Sequence, residues 1–330
     1  METLIEYNKE PELATRRLRA PSGEEWEEVA CPVCRHKKTQ PWLQARDRLF
    51  GAPDTYNLVR CCRCDLQFMN PRPTLAALAS HYKDGYAQFR TPEETPWYLR
   101  PFIQGWEIDA TRRRFRDMER HLGRITPEMT FLDVGCGLNM LLSYIRKMRG
   151  AEGIGVDINE RAVAYVRDNL GMRASLGTLA SARLESDQFD VATMLHYLEH
   201  EGNPRAVLRE VRRVLKPGGH IVIEIPDATG WPPRVFKGRW ASLDIPRHLV
   251  FFREATLHHV LAEEGFRLLS YRTFGVPFWI GISLYYMLQR DNQVDKPFRA
   301  LLASTIMGWP LLPLVPWTHE FAFAIAQVEK

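Results

Sequence analysis

Three groups of residues in this 330-residue chain have the types and spacing to do chemistry. The first is a pair of cysteine knuckles, Cys31-x-x-Cys34 and Cys61-x-x-Cys64. Each knuckle puts two thiolates on one side of a tight turn, and two knuckles close a tetrahedral four-sulfur site with no open position. That is the donor set of a structural zinc ion (Zn2+), with a thiol redox pair as the alternative. Cys62 adjoins Cys61, but only 61 with 64 keeps the knuckle spacing. The second group is an apolar run at 131–134 that contains Asp133 and breaks at Gly135 and Gly137. Two close glycines let the backbone turn tightly and approach a ligand without side-chain obstruction. A second apolar run, 153–157, ends in Asp157, an acid placed to accept hydrogen bonds from ribose hydroxyls. The third group is three histidines, His196, His200 and His248, each a candidate to take a proton from an acceptor hydroxyl.

These residues need a scaffold that gathers them. From residue 129 the chain alternates apolar strands with helices, the pattern of a parallel, doubly wound α/β sheet. Strands are predicted at 130–134, 153–157, 172–176, 189–195, 220–226 and 266–274, and a last one at 321–330. Helices are predicted at 139–148, after the capping Asn159, after the Asn203 cap with Pro204 in its first turn, and at 254–264. Gly171 and Gly265 stop two of them, and Pro217-Gly218-Gly219 ends a third. Residues 97–122 are predicted as a helix packed on the sheet, and 71–89 as a turn and a short helix. In such a sheet both glycines and Asp157 fall on the carboxyl edge, where open α/β folds bind nucleoside cofactors.

The spelling separates cofactor classes. A dinucleotide fingerprint needs a third glycine, but Gly137 is followed by Leu138, Asn139 and Met140. Leu132-Asp133-Val134-Gly135-Cys136-Gly137 instead resembles the first motif of class I S-adenosylmethionine (SAM) methyltransferases. Asn139 stands where that family usually has another glycine, and Asn tolerates left-handed turns best among the other residues. The run F-D-V-A-T-M-L-H-Y-L-E-H at 189–200 and R-R-V-L-K-P-G-G at 212–219 resemble the family's fourth and fifth units. The resemblance implies a Rossmann-like, mostly parallel seven-stranded sheet with an antiparallel last strand. It implies that Asp133, Gly135 and Gly137 line the methionine end of SAM, that Asp157 holds the ribose, and that Ile158 lies on the adenine face. Leu195 belongs to the same pocket, and Thr178 substitutes for an acid that the family often places near the adenine amine. His196, ending the fourth strand, and His248, in L-D-I-P-R-H-L-V-F-F, are the candidate catalytic residues. The cysteine unit and the Asn-Pro-Arg-Pro at 70–73 resemble the N-terminal domain of a group that includes sugar C-methyltransferases, where it covers the acceptor side.

The expected organisation is a polar lead-in, loose or helical, at 1–28, a zinc-ribbon unit with its connecting helix at 29–96, and the SAM-binding core at 97–274. An apolar cap insertion follows at 275–318, and the final strand at 319–330. The insertion holds two uncharged stretches, 273–289 and 300–318, which suit a helical cap or contact with a membrane surface. A single membrane span is excluded, because it would strand the last strand across the bilayer. With Trp231, Phe236 and Trp240, the insertion favours a small or lipid-linked acceptor with apolar character. Lys plus Arg exceed Asp plus Glu by only four, 44 against 40, so nucleic acid is not the expected partner. The first ten residues lack an apolar signal core, and the cysteines pair as in cytosolic metal sites. The expected location is cytoplasmic, with peripheral contact at the inner membrane surface as an option through 275–318. The expected activity is methyl transfer to a hydroxyl oxygen. Alternatives are C-methylation of a nucleotide-linked sugar, RNA methylation guided by the zinc ribbon, and an inactive SAM-binding scaffold.

Overall fold

The computed structural model describes residues 13–82, 94, 97, 100–289 and 319–329. Seven strands build its main sheet: β1 (Thr130–Val134), β2 (Glu152–Asp157), β3 (Arg173–Leu176), β4 (Phe189–Leu195), β5 (Leu215–Pro226), β6 (Phe266–Phe274) and β7 (Phe321–Val328). Their order is β6-β7-β5-β4-β1-β2-β3. The five from β5 to β3 run parallel, and β7 is antiparallel to both of its neighbours. This is the α/β fold expected from the sequence.

The central strands are apolar on both faces because helices cover both. One face packs Phe131, Val191, Val222 and Phe323 against α1 (Arg100–Leu122), α2 (Met140–Arg149) and α3 (Glu160–Asp168). The other packs Leu132, Ala192, Ile221 and Ile223 against α4 (Pro204–Val214) and α5 (Glu254–Glu263). The capping expectations hold in atomic detail. Asn159 Oδ1 accepts from the Ala162 amide at 2.9 Å, and Asn203 Oδ1 accepts from the Ala206 amide at 3.4 Å. β5 begins five residues before the expected 220, at Leu215, which already pairs with Phe189; the ladder shifts register beyond that pair, with Gly218 at φ 78°.

The N-terminal region departs from the expected lead-in. Ala14–Arg19 and Glu25–Val29 form an antiparallel hairpin, which Arg72–Pro73 extends to three strands. Trp26 anchors it: the indole is buried and stacks on Tyr56 with ring centroids 5.2 Å apart. Hairpin strands this short, dominated by charged residues, give almost no alternation to read, so one buried indole decides the outcome. Thr39–Arg46, Thr55–Cys61 and Gln67–Met69 form a second sheet, and its fourth strand, Val250–Phe251, comes from the segment between β5 and α5. The cysteine-bearing unit and a segment of the seven-stranded core region therefore share a sheet.

Within the apolar insertion, α6 (Pro277–Leu288) is described, and residues 290–318 lie outside the described residues. α6 buries Ile280, Ile282, Ser283 and Tyr286 and leaves Met287 and Leu288 exposed. Among the described residues no helix is long and apolar enough to cross a membrane.

Candidate active site

The carboxyl edge of the parallel strands carries two adjoining regions. In the first, β1 gives way to a turn with Gly135 at φ 71° and Gly137 at φ 47°, left-handed values that suit glycine. A Cβ on Gly135 would also stand 2.3 Å from Tyr197 Cδ2, so the turn has no room for a side chain. Asn139 sits at φ 55° and ψ 41°, the left-handed conformation expected at the family's missing glycine. It is buried, and neither atom of its amide group has a hydrogen-bond partner. Asp157 Oδ2 accepts from the Gly137 amide at 2.8 Å and Oδ1 from the Asn159 amide at 2.8 Å. Burial raises the Asp157 carboxyl and these amides pull it back, so each oxygen is oriented and still has a lone pair to offer.

The neighbouring side chains fit a nucleoside. Ile158 and Leu176 are large apolar residues, each 47% exposed, at the carboxyl ends of β2 and β3 beside Asp157. Apolar faces held open next to an oriented carboxylate suit a base attached to a ribose. Leu195 is half-buried at the end of β4 and pairs in register with Glu224. Thr178 Oγ1 accepts from the Ser181 amide at 3.2 Å, so its oxygen already holds a turn. Asp133 faces into the sheet, accepting from Thr193 Oγ1 at 2.5 Å. Burial pushes its carboxyl up to about 7, with Thr193 and Arg114 opposing. SAM, when bound, brings a methyl group made electrophilic by its sulfonium centre.

The second region follows β4. His196 donates its backbone N–H to the Glu224 carbonyl at 2.7 Å, and its ring lies between two carboxylates. Nδ1 is 3.3 Å from Glu199 Oε1 and Nε2 is 3.0 Å from Glu224 Oε1. Ionised carboxylates only accept, so both ring nitrogens donate and the ring is an imidazolium. Burial alone would lower its pKa, but Glu199 and Glu224 outweigh burial and raise it to about 9. Glu224 is in turn clasped by Arg114 of α1, whose Nε donates to Oε2 at 2.9 Å and whose Nη2 donates to Oε1. Burial opposes that charge, yet Arg114 and His196 hold the carboxyl well below its usual range. Phe321 packs edge-on to His196 at 4.9 Å and meets Trp279 of α6 at 6.0 Å.

On the far side of Glu199 lie His200 and His248. His248 Nδ1 is 2.9 Å from the Ser242 carbonyl, which can only accept, so Nδ1 donates there and Nε2 is the nitrogen turned toward the carboxylates. Nε2 stands 3.9 Å from both Glu199 Oε1 and Asp244 Oδ2. His200 Nδ1 contacts the Arg247 carbonyl at 3.1 Å and the Tyr82 hydroxyl at 3.0 Å, and burial pushes its pKa down to about 4. Arg247 is buried between Asp47 and Asp244. Asp47 and Tyr82 come from the N-terminal region, which thereby packs against Arg247 and His200. Phe236 and Trp240 are buried in packing, with Trp240 Nε1 donating to Glu320 Oε1 at 2.7 Å, so they do not wall an open acceptor space as expected. Trp231 is partly exposed.

Glu199, Glu224, Arg114 and Tyr82 were not singled out by the sequence reading. Glu224 had a visible signal: an acid inside I-V-I-E-I-P, a strand whose other residues belong to the core. A carboxylate there requires a buried partner.

The cysteines converge as expected. Cys31 and Cys64 sulfurs are 3.5 Å apart, as are those of Cys34 and Cys61, and all four lie within 4.8 Å of one another. Zn–S bonds of about 2.3 Å space sulfurs about 3.8 Å apart in a tetrahedron, so the set fits zinc. The knuckles match: the Arg35 amide donates to the Cys31 carbonyl at 2.9 Å and the Asp65 amide to the Cys61 carbonyl at 3.2 Å, with Arg35 at φ 60° and Asp65 at φ 64°. Cys62 is exposed and outside the set. The core grips both knuckles, through Arg205 on the Val33 carbonyl at 3.0 Å and Thr256 on the Cys64 carbonyl at 2.9 Å.

Comparison with known proteins places the chain in a family. A family model described as a methyltransferase domain matches residues 106–271. A ubiquinone biosynthesis O-methyltransferase of Pseudomonas paraeruginosa is 35% identical over 100 residues, covering 28% of this chain and 43% of the relative. The enzyme of the same name from Azoarcus sp. is 38% identical over 96 residues, covering 27% and 41%. The chain thus spans about two-fifths of the length of these curated relatives. A SAM-dependent methyltransferase from Archaeoglobus fulgidus aligns with a TM-score of 0.47 at 21% identity, over 70% of this chain and 100% of that one. With a family match across half its length, on a sheet of this order and a glycine turn of this shape, the chain belongs to the class I SAM-dependent methyltransferase family.

Proposed function

We propose that the protein transfers the methyl group of SAM to a hydroxyl oxygen of a small-molecule acceptor. The observation that carries this reading is the hydrogen bond that commits His248 Nδ1 to the Ser242 carbonyl and leaves Nε2 turned toward the Glu199 carboxylate, free to exchange a proton. A hydroxyl must shed its proton to attack the methyl carbon, and a lone pair at this position can receive it. His196 cannot serve, because both of its nitrogens already donate to carboxylates. Its role is to hold Glu199 and Glu224 in place. On the cofactor side, the Gly135–Gly137 turn meets the methionine end, with Asp133 bracing it from inside the sheet. Asp157 holds the ribose, Ile158 covers the adenine, and Leu195 and Thr178 line the pocket.

Cys31, Cys34, Cys61 and Cys64 hold a structural zinc ion that keeps Asp47 and Tyr82 in position at the acceptor side. Phe321 and Trp279 give the acceptor an apolar neighbour. The O-methyltransferase names of the relatives support an oxygen acceptor. The reading needs neither a lipid carrier on the acceptor nor membrane contact by residues 275–318.

The test is methyl transfer from labelled SAM to a panel of phenols and alcohols, followed by location of the methyl group in the product. His248→Ala is expected to lower kcat by about 10²–10⁴-fold with little change in the KM for SAM. A methyl group found on carbon, or an unchanged kcat in His248→Ala, would contradict the reading.

A further inference from the structure

One carboxylate and two imidazoles meet where the segments after β4 and β5 come together. One oxygen of Glu199 and one ring nitrogen each of His200 and His248 lie within 4.8 Å of one another. The Glu199 side chain is 1% exposed; Oε1 receives His196, and Oε2 is buried with no hydrogen-bond partner. A buried carboxylate oxygen without a donor is costly, and its presence calls for a ligand or a function. His248 is locked to the Ser242 carbonyl through the far nitrogen, the arrangement that orients metal-ligating histidines. The neighbouring arginines are matched by other acids, Arg247 by Asp47 and Asp244, and Arg114 by Glu224.

We propose that Glu199, His200 and His248 bind a divalent first-row transition ion. Two imidazoles and one carboxylate suit Mn2+, Fe2+ or Zn2+ and leave coordination positions open. Bonds of about 2.0–2.2 Å place donors about 3–3.5 Å apart, so side-chain shifts of about 1 Å close the set. An open position would take the acceptor oxygen and favour loss of its proton to solvent. That consequence rests on the hydroxyl-acceptor reading and replaces His248 as the base: with the ion bound, His248 Nε2 ligates it and the acceptor proton passes to solvent. The binding itself does not depend on it.

The test is titration of the full, zinc-loaded chain with Mn2+, following the free-ion signal by electron paramagnetic resonance. One saturable Mn2+ per chain is expected, weakened at least tenfold in Glu199→Gln and in His248→Ala, with the cysteine zinc and SAM binding retained. Absence of saturable Mn2+ binding in the wild-type chain would overturn the proposal without recourse to any variant. So would equal affinity in the wild type and both variants. Mn2+ bound as expected in a protein that methylates only carbon would support the ion site while removing the hydroxyl reading.

Discussion

Replacing Glu224 with Gln removes one charge and keeps the side-chain volume, so its effect reads the buried ion network. The Glu224 side chain is 2% exposed and takes Arg114 Nε at 2.9 Å and His196 Nε2 at 3.0 Å. An amide offers one accepting oxygen for these donors and turns an NH2 toward one of them. Two charges about 4 Å apart at an effective dielectric of about 20 interact by about 4 kcal/mol. Removing one member of a buried pair costs about 3–5 kcal/mol, mostly from the partner left behind. Glu224→Gln is therefore expected to destabilise by about 3–5 kcal/mol in urea unfolding, with the slope m unchanged. Stability should also lose part of its pH dependence. The folded-state pKa of His196 is raised from 6.5 to about 9, so its stabilisation is complete below pH 6.5 and vanishes as pH rises through 9. At about 1.4 kcal/mol per pH unit, the wild type should lose on the order of 3 kcal/mol across that window, and the variant roughly half as much. A variant within about 1 kcal/mol of wild type, with the same pH slope, would show that Glu224 does not anchor a buried ion network.

Two further expectations concern the cofactor turn and the metal. Gly135→Ala puts a Cβ 2.3 Å from Tyr197 Cδ2 at φ 71°. The left-handed cost of about 1–2 kcal/mol and the forced shift of Tyr197 should weaken S-adenosylhomocysteine binding about 30-fold, and calorimetry showing unchanged affinity would contradict this. Chelating zinc should unfold the sheets around the knuckles, since the binding energy of such a site is folding energy. The readout is Trp26 fluorescence together with zinc release. Methyl transfer should fall while SAM binding persists, because Asp47 and Tyr82 contact Arg247 and His200, beside the His248 proposed as base. A zinc-free chain with unaltered Trp26 emission and full activity would count against it.

The parts of the fold that were legible in the sequence are those written in local patterns. Asn159, Asn203 and Pro204 announce helix starts through neighbouring amides, and Gly135, Gly137 and Asp157 fall at the carboxyl ends of adjacent parallel strands that periodicity identifies. The left-handed Asn139 was readable for the same reason, since a single residue's conformational tolerance decides it. What stayed hidden depends on partners far apart in the chain. Arg114 and Glu224 meet only after α1 has packed beside β5, so neither the arginine nor the acid shows its partner in the sequence. His196 reads as a base by its position, and becomes an imidazolium because Glu199 and Glu224 close on it from two elements. The hairpin at Ala14–Val29 escaped because its stability comes from Trp26 on Tyr56, a contact between separate sheets.

Calorimetric titration of the purified chain with SAM shows whether the edge formed by Gly135, Gly137 and Asp157 binds the cofactor. Saturable one-to-one binding with a micromolar Kd is expected, weakened at least tenfold by Asp157→Ala. No heat of binding at millimolar SAM, or equal affinity in Asp157→Ala, would contradict it.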